Sequence, residues 1–289
     1  MNVIRVLEML VDCHSHIWSR EHITGEFAAA VLKAWGNEDI LRQSRPEDHL
    51  KAMQSVDKAI VFGFQAKKSG YSIPNEFVAD YARKHSGKII GFASVDPNNL
   101  NASKELRKCV KTLGLRGLKL GPIYQHFSVS SAKAMRLFGV ANDLEIPIVI
   151  HQGTTFVRNA PLKYANPIDI EDVALAYPEL KIVIAHLGHP WEDETAVLVR
   201  KQPNVFTDIS AVHPRPFRMY NKLMTFKEYH VMDKIIFGTD FPFFTPEQTI
   251  AGINQVNQFA SEHTLPKIDE SDIHAIIYDN YARVFGSLM

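Results

Sequence analysis

The sequence predicts an α/β protein of the (β/α)8 TIM-barrel class, a single domain over residues 1–289 with an insert after the first strand. Three observations predict it. Eight short apolar, β-branched runs read as buried parallel strands. Stretches with helical periodicity separate most of them. From the third run onward the repeat is roughly 30 residues, the length of one βα unit.

The strands are expected at 9–14, 58–64, 88–95, 115–120, 146–151, 181–186, 204–209 and 234–240. Helices are expected at 74–85, 101–114, 131–145 and 246–263. Asn101 or Ser103 can cap the second of these and Gly114 can end it, while Pro246 suits a first turn behind a capping Thr245. Residues 17–45, with Trp18, His22, Phe27 and Trp35, are too long for a simple connection and are expected to form a helical insert over the barrel mouth. The final segment from Asp269 reads as one or two helices that close the barrel or dock on a neighbouring copy, which leaves a homodimer or higher homo-oligomer open. An open doubly wound sheet uses similar local patterns, but no G-x-G-x-x-G or G-x-x-x-x-G-K-[ST] run is present to hold a phosphate.

Composition narrows the function. With 46% apolar and 22% charged residues, and 32 Lys and Arg against 32 Asp and Glu, the chain has no electrostatic hold on nucleic acid. No apolar run nears the roughly 20 residues that span a bilayer, and residues 1–10 carry one Arg and no small-residue cleavage site. A cytoplasmic protein with a small-molecule substrate is expected. Two cysteines, Cys13 and Cys109, exclude a disulfide framework and a Cys-rich zinc site. Thirteen histidines remain as the chemical signal.

In such a barrel, chemistry sits at the C-terminal ends of the strands. The first strand ends in Asp12-Cys13-His14-Ser15-His16, the fifth in His151, the sixth in His186 and the eighth in Asp240. Period two sets His14 and His16 on the same side of an extended backbone, where two imidazoles can meet one ion. Each residue alone has an ordinary explanation: a chance pair, a hydrogen-bonded core histidine, a helix cap. Their joint placement at strand ends that a barrel gathers together points to a metal site.

The motifs DCHSH (12–16), IVIHQG (148–153), IVIAHLGHPW (182–191) and IIFGTDFPF (235–243) resemble the metal-dependent amidohydrolase superfamily, in particular its amidohydrolase 2 branch of aminocarboxymuconate-semialdehyde decarboxylase-like enzymes. The resemblance spans Val11 to Pro242. It implies that His14, His16, His151 and Asp240 bind one divalent ion, with His186 as the proton-transfer histidine beside it. Three imidazoles and a carboxylate suit Zn2+, with Mn2+ as the second choice. Such an ion lowers the pKa of its bound water to about 7; Asp240 can both ligate and accept a proton. A second metal is the alternative role for His186, for Lys119 resembles the carboxylated lysine of binuclear relatives; in the mononuclear branch this lysine contacts substrate.

As a buried ammonium, Lys119 should face a negative substrate group or an acidic side chain. Arg158, and less so Arg215 or Arg218, can anchor a carboxylate or phosphate. Trp18 and Trp191 belong to an aromatic set in loops that favours a planar or apolar ligand, with His189 and Trp191 equally suited to orienting His186. Asp208 can pair with Lys119 or His186, or simply end its strand. The leading expectation is a hydrolase that uses metal-held hydroxide on an ester, lactone, amide or activated carbon–carbon bond. A nonoxidative decarboxylase of an aromatic or unsaturated acid is the alternative, and a non-catalytic barrel with a structural ion is the remaining one.

Overall fold

The computed structural model describes residues 8–36, 38–42 and 44–289, so most of the stretch 1–10 lies outside the described residues. All eight expected barrel strands form. They are β1 (Val11–His16), β2 (Lys58–Phe62), β5 (Ile89–Phe92), β6 (Leu118–Leu120), β7 (Ile148–Ile150), β8 (Ile182–Ile184), β9 (Val205–Asp208) and β10 (Ile235–Ile236), with a hairpin of β3 (Phe64–Ala66) and β4 (Tyr71–Ile73) inserted after β2. Parallel pairing runs β1-β2-β5 and β10-β9-β8-β7-β6.

Two seams join these sheets into a closed barrel. At one, Ala93 N–H donates to Gly117 O (2.8 Å) and Lys119 N–H to Ala93 O (2.7 Å). At the other, Cys13 N–H donates to Phe237 O (3.1 Å), Asp240 N–H to His14 O (2.8 Å) and His16 N–H to Phe241 O (2.8 Å). Gly238 permits the second seam: a Cβ there would stand 2.7 Å from that of His14. Closure leaves none of the eight barrel strands as an edge, as the open-sheet alternative would not.

Side chains alternate across the barrel wall. On β7, Ile148 and Ile150 pack outward while Val149 joins an inner layer with Ile60, Phe92, Val183, Phe206 and Ile236. On β6, Leu118 and Leu120 face out, which by the same alternation turns Lys119 in. The helices Glu270–Tyr278 and Ala282–Phe285 are followed by a short 3-10 turn at Gly286–Leu288, and Phe285, fully buried, enters the inner layer with its ring centre 5.8 Å from that of Phe92. The final segment therefore stoppers this barrel, the first of the two roles expected of it.

Helices fall where the periodicity placed them, at Asn75–Lys84, Ala102–Lys111, Ala132–Asp143 and Pro246–Asn254. Thr245 and Gln248 complete a capping box at Pro246, but Asn101 sits at its N-cap position without a side-chain bond. The expected helix 246–263 divides at Gln255 into two. Most of the described residues in 17–45 are helical as expected, with the helix Gly25–Trp35 as their main element. The hairpin was not expected. It is tied to the insert by an Ile23–Tyr71 bridge and by Thr24 N–H donating to Gly70 O (2.8 Å), with Gly70 at φ +81° where a Cβ would collide with the Thr24 carbonyl. Among the described residues, no helix is long and apolar enough to cross a membrane.

Truncating the stopper, Phe285→Ala, should cost about 3–5 kcal/mol of stability, measured by urea unfolding. A loss under about 1 kcal/mol would show that the inner layer closes without it.

Candidate metal centre

Two of the strand-end groups reach the barrel interior only because their strands break phase. Val11 and Cys13 of β1 belong to the inner layer, so strict alternation would turn His14 and His16 outward. Between Asp12 and Ser15, however, β1 advances three residues while β2 advances two, from Ala59 to Val61. This β-bulge brings both imidazoles inward. On β8, Val183 faces in and His186 is out of phase with it; His186 and Leu187 adopt left-handed backbone at φ 59° and 54°, and His186 turns back to the cavity. His151 and Asp208 follow their strands without such a device, whereas Asp240, beyond the end of β10, also takes left-handed backbone at φ 63°.

Hydrogen bonds decide which imidazole nitrogens are free. His14 Nδ1 lies 2.7 Å from Asp208 Oδ2; a carboxylate only accepts, so Nδ1 carries the proton and Nε2 the lone pair. His186 Nδ1 lies 3.1 Å from the Ser210 carbonyl and 2.8 Å from its hydroxyl, which leaves Nε2 as the lone pair. His151 Nε2 donates to Thr154 O (3.0 Å), leaving Nδ1. The free nitrogens of His186 and His151 then face each other across 3.2 Å with no proton between them. His16 Nδ1 is buried without a hydrogen-bond partner among the described residues, and its Nε2 is 3.5 Å from Asp240 Oδ1. His14 Nε2 is 3.4 Å from the same oxygen.

These separations fit a cation. Ligands about 2.0–2.1 Å from a tetrahedral zinc stand roughly 3.3–3.4 Å apart, and lone pairs facing lone pairs at that spacing are otherwise repulsive. His14, His186 and Asp240 form the compact group, their ligand atoms all within 4.8 Å of one another. Geometry thus draws in His186, which sequence reasoning reserved for proton transfer, while His16 adjoins the group through Asp240 and His151 through His186. Lys119 completes the floor, with Nζ 3.1 Å from His14 Nε2 and 4.6 Å above the centre of the Phe62 ring. It donates to the His14 lone pair, a contact that an ion on His14 would displace.

Burial tunes the imidazoles and the Lys119 ammonium. It pushes His16 and His151 well below the ordinary histidine range and His186 to about 4, with the Lys119 charge adding to the effect. It also lowers His14, so the four rings are neutral and ready to ligate. Lys119 is brought down to about 8 by the same desolvation. Burial alone would raise Asp208, but His14 and the His186 N–H (3.0 Å) hold its carboxyl far below the usual range. Asp208 therefore pairs with His14 and with the His186 backbone, not with the Lys119 ammonium that the sequence offered it.

The centre lies at the bottom of a cavity of about 540 Å3. Phe27 and Trp35 from the insert, Phe64 and Tyr71 from the hairpin, and Tyr124, Phe156, Phe243 and Phe244 make aromatic walls. Arg215, Arg218 and Lys222 form a cationic side, where buried Lys222 pairs with Glu192 and approaches His189 Nδ1 at 2.8 Å. Three expected contacts are not brought to this wall. Arg158 is exposed and does not line it. Trp18 is fully buried, its Nε1–H donating to Leu41 O (3.1 Å) and its ring edge-on to Tyr71. Trp191 packs on the hydrophobic core beside the helix Glu192–Lys201, whereas its neighbour His189 lines the cavity.

A family model described as amidohydrolase matches residues 11–287. A curated relative, the 2-amino-3-carboxymuconate-6-semialdehyde decarboxylase of Dictyostelium discoideum, is 20% identical over 292 residues, covering 88% of this chain and 81% of that protein. Among solved structures, a dihydroxybenzoic acid decarboxylase from a Polaromonas species, with bound manganese and the inhibitor 2-nitroresorcinol, matches with a TM-score of 0.67 at 16% identity over 98% of each chain. A protein from Acinetobacter baumannii described as a 2-pyrone-4,6-dicarboxylic acid hydrolase, with citric acid bound, matches with a TM-score of 0.68 at 16% identity, over 96% of this chain and 99% of that one. At such identities the structural likeness speaks for the fold.

The buried neutral imidazoles set a pH dependence. His16, His49, His151 and His186 bind fewer protons folded than unfolded, where a histidine titrates near about 6.5. Their contribution is intact above that pH and is lost as pH falls towards 4. Asp12, raised to about 7 by burial, works in the opposite sense, as do Glu105, Asp169 and Asp272, which are only part-buried and so more screened by solvent. The melting temperature of metal-free protein should therefore fall from pH 7 to pH 4.5; a flat profile would contradict neutral rings.

Proposed function

The chain belongs to the amidohydrolase family, and from that premise we propose that it is a metal-dependent, nonoxidative decarboxylase of a small aromatic or unsaturated carboxylic acid. The observation that carries the substrate class is the cavity lining. Among the described residues, Asp240 is its one acid, against Lys119, Arg215, Arg218 and Lys222. Aromatic walls with a cationic floor and rim suit a planar anion. The reaction is supported by the relatives: the curated relative and the manganese-bound neighbour are decarboxylases by name. Hydrolysis, which the sequence placed first, keeps the pyrone hydrolase as its support.

His14, His16, His151 and Asp240 are the residues proposed to hold one divalent ion, of which zinc and manganese both suit the donor set. When bound, such an ion supplies Lewis acidity towards the oxygens of a substrate carboxylate and its neighbouring hydroxyl or oxo group. The chain does the rest. Arg215 and Arg218 at the rim draw an anionic substrate in, and Lys119 at the floor meets its negative charge. His186, neutral with Nδ1 anchored on Ser210, presents a free Nε2. That nitrogen can take a proton from a substrate hydroxyl and return it to the carbon that bears the carboxylate. The carbon–carbon bond then breaks, its electron pair returns to the ring or olefin, and carbon dioxide leaves. Asp240 is the second group able to carry that proton. The aromatic walls exclude water from the carbon being protonated.

Metal-loaded protein should release carbon dioxide from hydroxylated aromatic or unsaturated carboxylic acids and lose this activity to a chelator. Acid release from lactones or esters with no carbon dioxide from any carboxylate would restore hydrolysis. His186→Asn should keep the ion while lowering turnover by about 10²–10⁴-fold; loss of the ion in that variant, measured by elemental analysis, would put His186 among the ligands. Lys119→Met should raise KM for carboxylates, and an unchanged KM would remove Lys119 from the anion's path.

A further inference from the structure

Asp12 does not line the cavity, yet its carboxylate is fully buried between β1 and the turn after β10. Oδ1 accepts the His14 N–H (3.1 Å) and the Thr239 N–H (3.0 Å), and Oδ2 accepts the Thr239 hydroxyl (2.7 Å). The first bond satisfies a backbone donor inside the bulge, where β1 is out of step with β2. The other two grip the residue before Asp240. Thr239 Oγ1 in turn accepts the Phe241 N–H (3.0 Å), so both neighbours of Asp240 are tied. Asp240 itself stands at φ +63°, in the left-handed region. A non-glycine residue stays there only where its surroundings over-determine it.

We propose that Asp12 is a positioning residue for the metal centre: one carboxylate fixes the bulge that turns His14 and His16 inward and clamps Thr239 so that Asp240 meets them. The geometry has one economical property. The ligands of the first strand and the ligand after the last strand are set by the same three hydrogen bonds, so their mutual spacing does not depend on the intervening chain. The inference rests on the reading that His14, His16 and Asp240 hold an ion, and it goes beyond that reading by assigning how they are kept in place.

The test compares Mn2+ dissociation constants of metal-free full-length protein and its variants, with thermal stability recorded alongside. Thr239→Val keeps the shape but removes the hydroxyl that joins Asp12 to the Phe241 N–H, and should weaken Mn2+ binding by about 10–100-fold, the range for a lost outer-shell partner. Thr239→Ser restores the hydroxyl and should bind within about threefold of the unaltered protein. A Thr239→Val protein that melts lower but binds Mn2+ normally would overturn the proposal, as would Thr239→Ser binding as poorly as Thr239→Val. Should Thr239→Val fail to fold, Asp12→Asn takes its place: it keeps an acceptor for the two N–H groups and loses the one for the hydroxyl, and weaker binding than Thr239→Ser is the supporting result, equal binding the opposing one. Absence of any Mn2+ binding by the unaltered protein would overturn the metal-centre reading and this inference together, whereas equal binding by all forms overturns this inference alone.

Discussion

The seam between the first and last barrel strands is the constraint on which the rest of the molecule depends. Closing a parallel barrel requires a final strand to hydrogen-bond to the first, and here that contact is made by residues that also form the site. The backbone of His14 accepts from Asp240 N–H, and that of His16 donates to Phe241 O. The fold and the centre are therefore one event: completing the barrel assembles the donors. The arrangement carries a desolvation cost, since Asp12, Asp208 and Lys119 are all buried. Hydrogen bonds offset it, three to Asp12 and several to Asp208.

Much of this was legible in the sequence, because it follows from short-range periodicity. All eight barrel strands were visible as apolar β-branched runs, and the ends of four of them carried imidazole or carboxylate. The bulge was not visible. A one-residue shift against β2 is a property of the pair, and nothing within DCHSH distinguishes a straight strand from a bulged one. The left-handed backbone at His186 and Leu187 was equally hidden, since neither residue is glycine or asparagine. Trp18 and Arg158 lie next to the right strands in the chain, but whether a loop side chain turns to the cavity or into packing is set by elements far away, here Tyr71 and Leu41 for Trp18. The hairpin carried one usable signal, Gly70 between short apolar stretches, which the length of its strands made easy to pass over. Ser210 could have been suspected from its two-residue spacing beyond Asp208, the same period that joins His14 to His16.

The chemistry reflects the same burial. Imidazoles that are kept neutral offer lone pairs to a cation without first giving up protons, beside a buried carboxylate, Asp208, and a buried ammonium, Lys119. A cavity whose cations outnumber its one acid among the described residues, walled by aromatic rings, suits, on the proposed reading, discrimination by charge at the rim and by shape further in. Nothing in that division separates one leaving group from another, so the lining supports the substrate class more directly than the bond that breaks.

Phe285 stoppers the lower end of the barrel, while the insert and the hairpin, joined through Ile23 and Tyr71, roof part of the upper end. The exposed Arg215 and Arg218 stand on the part left open. Under the proposed reaction, a ring stripped of its carboxylate would back out past these guanidinium groups with little charge for them to hold, just as the next anion is drawn toward them. On that reading the cationic rim works as a valve for direction, favouring what still bears the group to be removed over what has already lost it.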